Sequence, residues 1–239
     1  MNIALIGYGK MGKAIEEIAV QDGHIICLKI DADNYESDFT AENILKADVA
    51  IEFTGPDTAV NNIKKCFEWG VPVVAGTTGW LEHWEEVVEC CHNNKGSFLY
   101  ASNFSIGVNI FFELNKILAK MMADKAGYEV SVEEIHHTQK KDAPSGTAIT
   151  IAEGIMENNH LKKSWINEFT NKEDQLSIIS KRIDPAPGTH IVKYQSDIDD
   201  IEIIHTAHNR KGFATGAVRA AEYIYQKKGI FTMKEVIGI

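Results

Sequence analysis

Residues 133 to 148 read Glu-Glu-Ile-His-His-Thr-Gln-Lys-Lys-Asp-Ala-Pro-Ser-Gly-Thr-Ala, and no other stretch concentrates so many groups able to do acid–base chemistry. Two adjacent histidines, His136 and His137, stand just before Lys140, Lys141 and Asp142. Imidazole gives and takes protons near neutral pH, and an ammonium donates protons or holds anions. A turn-forming Ala143-Pro144-Ser145-Gly146-Thr147 follows and opens onto an apolar helical pattern. The backbone amides of Gly146 and Thr147, with the Thr147 hydroxyl, form an anion site at that helix start. Pro144 disfavours helix at Ala143, and Asp142 or Ser145 is expected to cap the turn. Adjacent strand residues point to opposite faces, so only one histidine of the pair faces a given pocket unless the strand has already ended.

A second chemistry is written at the start of the chain. Gly7-Tyr8-Gly9-Lys10-Met11-Gly12 matches G-x-G-x-x-G, directly after an apolar strand and at the opening of an amphipathic helix. Glycines there allow a tight turn and close approach of backbone to a pyrophosphate, and the helix amides face the phosphates. The next strand ends in Asp31, near the ~20-residue offset at which an acid bonds the adenosine ribose. Ala32, in place of a basic residue, favours NADH, while Lys10 leaves use of NADPH open. Further strand-ending turns, Gly76-Thr77-Thr78-Gly79 and Ala101-Ser102-Asn103-Phe104, belong on the same ligand-binding edge.

These groups need a scaffold, and the pattern supplies one. Strands are expected at 3–6, 25–30, 47–53, 71–75 and 97–101, with helices at 10–21, 56–69 and 81–93 between them. Continuous apolar strands alternating with helices indicate a Rossmann-type, doubly wound parallel sheet covered on both faces. From about Ile106 the texture changes. A long helix at 108–123 is followed by strands at 129–136, 176–183, 190–195 and 200–208, with one helix at 146–158. This second part reads as a smaller α+β domain with a mixed, mainly antiparallel sheet. Residues 158–175 read as a loop or irregular helix, and 212–228 as a helix that packs back on the first domain. The expected division is 1–106 with 212–239, and 107–211.

Composition narrows the setting. A net charge of −10 argues against a nucleic-acid binder. The opening apolar run is too short for a signal sequence, no segment reaches the length of a membrane span, and a cytoplasmic protein is expected. Cys27, Cys66, Cys90 and Cys91 contain no C-x-x-C, and buried free thiols are the better reading. His205 and His208 add another histidine pair, but three residues apart on a strand they face opposite sides, so no metal is expected.

The run Glu134-Ile135-His136-His137-x-x-Lys140-x-Asp142-Ala143-Pro144-Ser145-Gly146-Thr147-Ala148 resembles the signature of the 4-hydroxy-tetrahydrodipicolinate reductase (dihydrodipicolinate reductase) family. The glycine fingerprint, the Gly76-Thr77-Thr78-Gly79 turn, Asn103-Phe104-Ser105-Ile106-Gly107-Val108-Asn109 and Arg210-x-x-Phe213-Ala214-x-Gly216-Ala217-Val218-Arg219 are similar too. The resemblance implies a cytoplasmic, typically homotetrameric enzyme of the diaminopimelate route to lysine, assembled through the sheets of its second domain. It would reduce an unsaturated cyclic dicarboxylate with NADH or NADPH. By position, His136 corresponds to the proton donor/acceptor and Lys140 to the proton donor. His137, Gly146 and Thr147 correspond to substrate contacts. Gly7, Tyr8, Gly9, Lys10, Met11, Gly12, Asp31, Gly76, Thr77, Thr78, Ala101, Ser102, Asn103 and Phe104 correspond to cofactor contacts.

The chain departs from common members in an abbreviated region after Asp31, in a tighter glycine turn, and in Ala32 and Gly55 where some members carry arginine. These changes bear on cofactor preference. Rival readings are a different two-domain dehydrogenase, against which the absence of a Glu-Lys-Pro after 71–75 counts, and a non-catalytic dinucleotide sensor, against which the retained His136, His137 and Lys140 count.

Overall fold

The computed structural model describes residues 1–209 and 211–239; Arg210, the first residue of the late Arg210-x-x-Phe213 run, lies outside the described residues. The chain divides into two compact units, Met1–Ile106 with Lys211–Ile239, and Gly107–Arg210. The elements up to the first crossing are β1 (Asn2–Ile6), α1 (Lys10–Gln21), β2 (Ile25–Ile30), α2 (Tyr35–Asp38), α3 (Ala41–Ile44), β3 (Val49–Glu52), α4 (Pro56–Glu68), β4 (Val73–Ala75), α5 (Trp84–Asn93) and β5 (Ser97–Tyr100). Then come α6 (Ile106–Met122), β6 (Glu129–His136), α7 (Gly146–Asn158), β7 (Ser164–Ile166), β8 (Gln175–Arg182), β9 (Gly188–Gln195) and β10 (Asp200–Ala207). The chain closes with α8 (Lys211–Ile224), β11 (Gly229–Phe231) and α9 (Met233–Ile237).

In the first unit six strands form one parallel sheet in the order β11-β5-β4-β3-β1-β2. Its strands are mostly apolar because both faces are covered, with Glu52 at the end of β3 a buried exception. Ala4, Ile6, Ala50, Val73, Ala75 and Phe98 point into one core, with Ile63 and Phe67 of α4 and Val87 and Cys91 of α5. Ile3, Leu5, Val49, Ile51, Val74 and Leu99 point into the other, with Ile15 and Ala19 of α1 and Ala217, Ala221 and Ile224 of α8. Each such fully buried valine, leucine, isoleucine or phenylalanine side chain stabilises the fold by roughly 1.5–3 kcal/mol. The small residues of α8 let it sit close: a Cβ on Gly216 would meet the Phe104 carbonyl oxygen at 1.7 Å. The stretch after Asp31 forms a 3-10 turn, Ala32–Asn34, followed by α2 and α3.

In the second unit five strands run in the order β10-β9-β6-β8-β7. The β10–β9 and β9–β6 pairs are antiparallel, and the β6–β8 and β8–β7 pairs are parallel. One sheet face carries Val130, Val132, Leu176, Ile178, Val192 and Tyr194 against Phe111 and Ala119 of α6 and Ile151 and Ile155 of α7. The opposite face is mixed. Register sets Ile191 between Ile204 and Glu133, and Glu133 beside Ile179.

Some elements differ from expectation. β7 lies inside the stretch read as loop or irregular helix, and its residues pair with Gln175, Leu176 and Ser177 of β8. A strand this short shows no alternation to read. α8 stops at Ile224, where Gln226 takes a φ of 61°, so the chain turns into β11 instead of continuing the helix. α9 was not expected either; it opens on a capping box between Thr232 and Glu235.

Candidate active site

The glycine turn of the first unit is shaped by what surrounds it. Gly7 has φ of 93°, and a Cβ there would lie 1.9 Å from the Phe53 carbonyl oxygen. Gly12 is equally constrained, since a Cβ would meet the Gly7 carbonyl at 2.4 Å. Gly9, by contrast, faces open space and caps α1 without a side-chain hydrogen bond. A backbone that comes close to nothing of its own, at a helix N-terminus, is a cradle that fits a pyrophosphate. Lys10 is exposed and Met11 half-buried at the helix start. The Tyr8 hydroxyl donates to Glu16, which also pairs with Lys29 at 2.6 Å, and that ammonium lies 4.9 Å from the centre of the Tyr8 ring.

A cavity of about 550 Å³ adjoins this turn and is lined by Gly7, Gly9, Asp31, Ala32, Glu36, Phe53 and Thr54 among others. Asp31 directly follows β2 and caps the 3-10 turn after it, its Oδ1 accepting from the Ala32 amide at 2.9 Å. The lining holds the acids Asp31 and Glu36 and, among the described residues, neither lysine nor arginine.

The turn after β4 splits by burial. Thr77 is buried, its hydroxyl donating to Glu52 at 2.9 Å and accepting from the Thr54 amide at 2.8 Å, whereas Thr78 is exposed. Gly76 rests on the Phe53 ring, which a Cβ would approach to 2.2 Å. In the Ala101–Phe104 run, Ala101 is half-buried, Ser102 exposed, and Asn103 and Phe104 buried. Phe104 packs on Phe53 with ring centres 5.7 Å apart.

The second unit carries the acid–base segment. His136 is the last residue of β6 and is 8% exposed, its Nε2 walled by the backbone of Gly188. His137 follows the strand and is half-buried, so the strand's end separates the two histidines. Lys140 pairs with Asp142 at 2.9 Å, and its amide donates to the His137 carbonyl at 3.1 Å. Thr138 is anchored by its amide and hydroxyl to Asp184 at 3.1 and 2.6 Å. The Ala143–Pro144 bond is cis. Of the two expected caps, Ser145 does the capping: its hydroxyl accepts from the Ala148 amide at 3.2 Å, and Gly146 and Thr147 open the helix.

Beneath this segment lies a residue to which sequence reasoning gave no role. Glu134 is completely buried. Its Oε1 accepts from the Ser145 amide and from Arg182 Nη2, each at 3.1 Å. Its Oε2 lies 3.2 Å from His136 Nδ1, at ion-pair distance though outside hydrogen-bond alignment, and 4.0 Å from His190 Nε2. Burial by itself raises the Glu134 carboxyl, but His136, Ser145, Ser180 and Arg182 outweigh it and hold the group well below the usual carboxylate range. Burial, then the neighbouring His136, push His190 down to about 3, so that ring is neutral. His190 also sits 3.4 Å from the Ser145 hydroxyl and edge-on to His136, ring centres 5.2 Å apart.

Strand alternation could have flagged Glu134, since it shares the core face of β6 with Val130 and Val132. Its partners could not have been found that way. Sheet register sets Glu134 opposite His190 and His136 opposite Arg182. Glu134, His136 and His190 offer ligand atoms within 4.8 Å of one another. Arg182 already places a positive charge on the shared carboxylate, which makes the group a poor cation site. His205 lies elsewhere, against Phe111, with ring centres 6.2 Å apart.

Known proteins resemble this chain in sequence and fold. The family profile "Dihydrodipicolinate reductase, N-terminus" matches residues 1–104, and "Dihydrodipicolinate reductase, C-terminus" matches 107–237. The 4-hydroxy-tetrahydrodipicolinate reductase of Christiangramia forsetii is 52% identical over 238 residues, covering 100% of this chain and 98% of that protein. The same enzyme of Thermosipho africanus is 35% identical, over 99% and 98% of the two chains. Among solved structures, a dipicolinate-bound dihydrodipicolinate reductase from Paenisporosarcina sp. TG-14 superposes with a TM-score of 0.78 at 22% identity, covering 98% of each chain. A scyllo-inositol dehydrogenase from Lactobacillus casei shares the architecture more loosely, with a TM-score of 0.58 at 12% identity over 99% and 92% of the chains.

Proposed function

The chain belongs to the dihydrodipicolinate reductase family, and we propose how its own residues divide the work of that family's reaction. The reaction is the NAD(P)H-dependent reduction of 4-hydroxy-tetrahydrodipicolinate to tetrahydrodipicolinate, a step of the diaminopimelate route to lysine. When bound, the dinucleotide supplies the hydride. The rest falls to the protein: holding the cofactor, holding a dicarboxylate, and handling a proton.

On the second unit, His136 and Lys140 are the groups that manage the proton. The 4-hydroxyl leaves with a ring proton as water, which gives a conjugated ring; hydride addition then leaves carbanion or enamine character, and a positioned acid that quenches it contributes about 10²–10⁴-fold. Glu134 beneath His136 orients that imidazole, and this buried carboxylate–histidine pairing is the observation that carries the reading. His137, with Gly146 and Thr147 at the start of α7, receives substrate carboxylate, where an anion meets helix amides. Lys140 lends its charge to the same anion.

On the first unit, Gly7, Tyr8, Gly9, Lys10, Met11 and Gly12 hold the pyrophosphate side of the cofactor, and Asp31 the adenosine ribose. Gly76, Thr77, Thr78 and Ala101 to Phe104 complete the contacts, Thr77 through its backbone because its hydroxyl is engaged within the protein. NADH is the preferred cofactor. Asp31 and Glu36 would repel a 2′-phosphate, and the nearby Lys29 is already paired with Glu16. The protein works in the cytoplasm, consistent with its free cysteines, as a homotetramer joined through the mixed face of the second unit's sheet. No helix among the described residues is long and apolar enough to cross a membrane.

The test is loss of NADH absorbance when purified protein meets the freshly formed condensation product of pyruvate and aspartate semialdehyde. Absence of turnover by folded, cofactor-binding protein would refute the reading.

A further inference from the structure

Glu52 ends β3, and its side chain is fully buried beneath the cofactor-side loops of the first unit. One carboxyl oxygen does all the bonding. Oε1 accepts from the Thr54 amide at 2.9 Å, from the Thr54 hydroxyl, and from the Thr77 hydroxyl at 2.9 Å. The donors are consistent around the cluster. Thr77 Oγ1 accepts from the Thr54 amide at 2.8 Å, and Thr54 Oγ1 accepts from the Thr58 hydroxyl at 2.9 Å, so each hydroxyl has its own proton left for Glu52. Oε2 is buried and has no hydrogen-bond partner among the described residues.

A buried acid with no cation paired to it among the described residues is an expensive way to supply one acceptor. Burial pushes this carboxyl up, against the hydrogen bonds from Thr54 and Thr77. Its unusual position has a counterpart in what it joins. Thr54 and Phe53 line the 550 Å³ cavity. The Phe53 ring lies under Gly76, and the Phe53 carbonyl lies against Gly7. The side chain of Glu52 therefore fastens the loop after β3 to the turn after β4, while its neighbour Phe53 packs against both glycine turns.

We propose that Glu52 is a positioning residue for the dinucleotide: without touching it, Glu52 fixes the spacing between the Thr54 loop and the Thr77 turn through the hydrogen bonds on Oε1. This rests on the reading of the first unit as the NAD(P)H site. A merely structural Glu52 would affect unfolding alone, whereas a positioning one moves cofactor affinity and spares the other substrate.

The experiment measures the NADH dissociation constant by fluorescence titration, the KM of each substrate, and the melting temperature for wild type, Glu52→Leu and Glu52→Gln. Glu52→Leu keeps volume and removes the acceptor; Glu52→Gln keeps the acceptor and carries no charge. Glu52→Leu is expected to weaken NADH binding about tenfold, with the KM for the cyclic substrate unchanged, and Glu52→Gln to restore most of that loss. If Glu52→Leu fails to fold, Thr77→Val, which removes one hydroxyl at nearly constant shape, replaces it with the same expectation in a smaller measure. Unchanged NADH affinity in the folded variant, or a glutamine variant as impaired as the leucine one, overturns the proposal. Failure of wild type to bind NADH overturns it together with the cofactor reading, and so separates the two.

Discussion

Arg182 Nη2 stands 3.1 Å from Glu134 Oε1, at the foot of the strand that ends in His136. The same guanidinium nitrogen donates to the Asp142 carbonyl at 2.6 Å, so a single cation neutralises the buried acid and pins the loop carrying Lys140. The groups proposed to handle the proton and the helix start proposed to hold the anion thus share one support. Breaking a buried pair by removing one partner typically costs about 3–5 kcal/mol, because the other charge is left uncompensated. Arg182→Met is expected to destabilise the protein by an amount of that order, read as a lowered urea midpoint, and to reduce kcat as well. A variant that loses stability with kcat intact would separate the support from the chemistry.

Lys140→Ala should lower turnover by about 10²–10⁴-fold, the range of a general acid. NADH affinity, measured by titration, should stay near wild type, since Lys140 sits in the second unit's loop.

Ser145→Ala removes the cap of α7 and should cost about 1 kcal/mol of stability. It should also raise the KM for the cyclic dicarboxylate while leaving the KM for NADH alone, because the lost bond orients the Gly146–Thr147 turn. Steady-state kinetics with each substrate varied in turn gives both numbers.

Stability should fall on acidification. His190 is held down at about 3 in the fold, against roughly 6.5 in an unfolded chain. A histidine depressed in this way leaves the unfolded state with more bound protons, so its contribution is complete above the unfolded value and is lost as pH drops towards 3. Glu134, also depressed, acts in the same direction at lower pH, from the ordinary carboxylate range downward. Wild type should therefore lose unfolding free energy below roughly pH 6.5, with a slope of at most about 1.4 kcal/mol per pH unit for this histidine. His190→Gln should flatten the upper part of that curve. An unchanged slope would show that the ring is not depressed.

Ala32→Arg combined with Glu36→Gln should shift the ratio of kcat/KM towards NADPH by about tenfold or more, as one new phosphate contact and one fewer like charge would do. Parallel assays with the two cofactors decide it.

The legible part of this molecule was what local pattern encodes. Ile3 to Ile6 and Val71 to Ala75 read as buried parallel strands because every position is apolar, and the glycine fingerprint declares its own backbone needs. β7 and β11 were invisible because strands this short carry no period, and they form only by pairing with β8 and β5. The site shows the same divide. His136, His137 and Lys140 announce themselves by type and spacing, whereas Glu134, Arg182 and His190 become one cluster through strand register, a long-range property. Glu52 was hidden for another reason: a single acid at a strand end looks solvated until the fold closes over it.

α8 and β11 belong to the first unit although the second unit separates them from the rest of it. During synthesis this has a direct result. A nascent chain halted before Lys211 has the β1–β5 sheet but lacks Ala214, Ala217, Val218, Ala220, Ala221 and Ile224, the α8 part of one core, and leaves β5 as a bare edge. Such an exposed apolar face and unpaired strand invite association with other chains. The unit whose strands β1 to β5 are made before the second unit is thus completed only after it, once α8 and β11 follow.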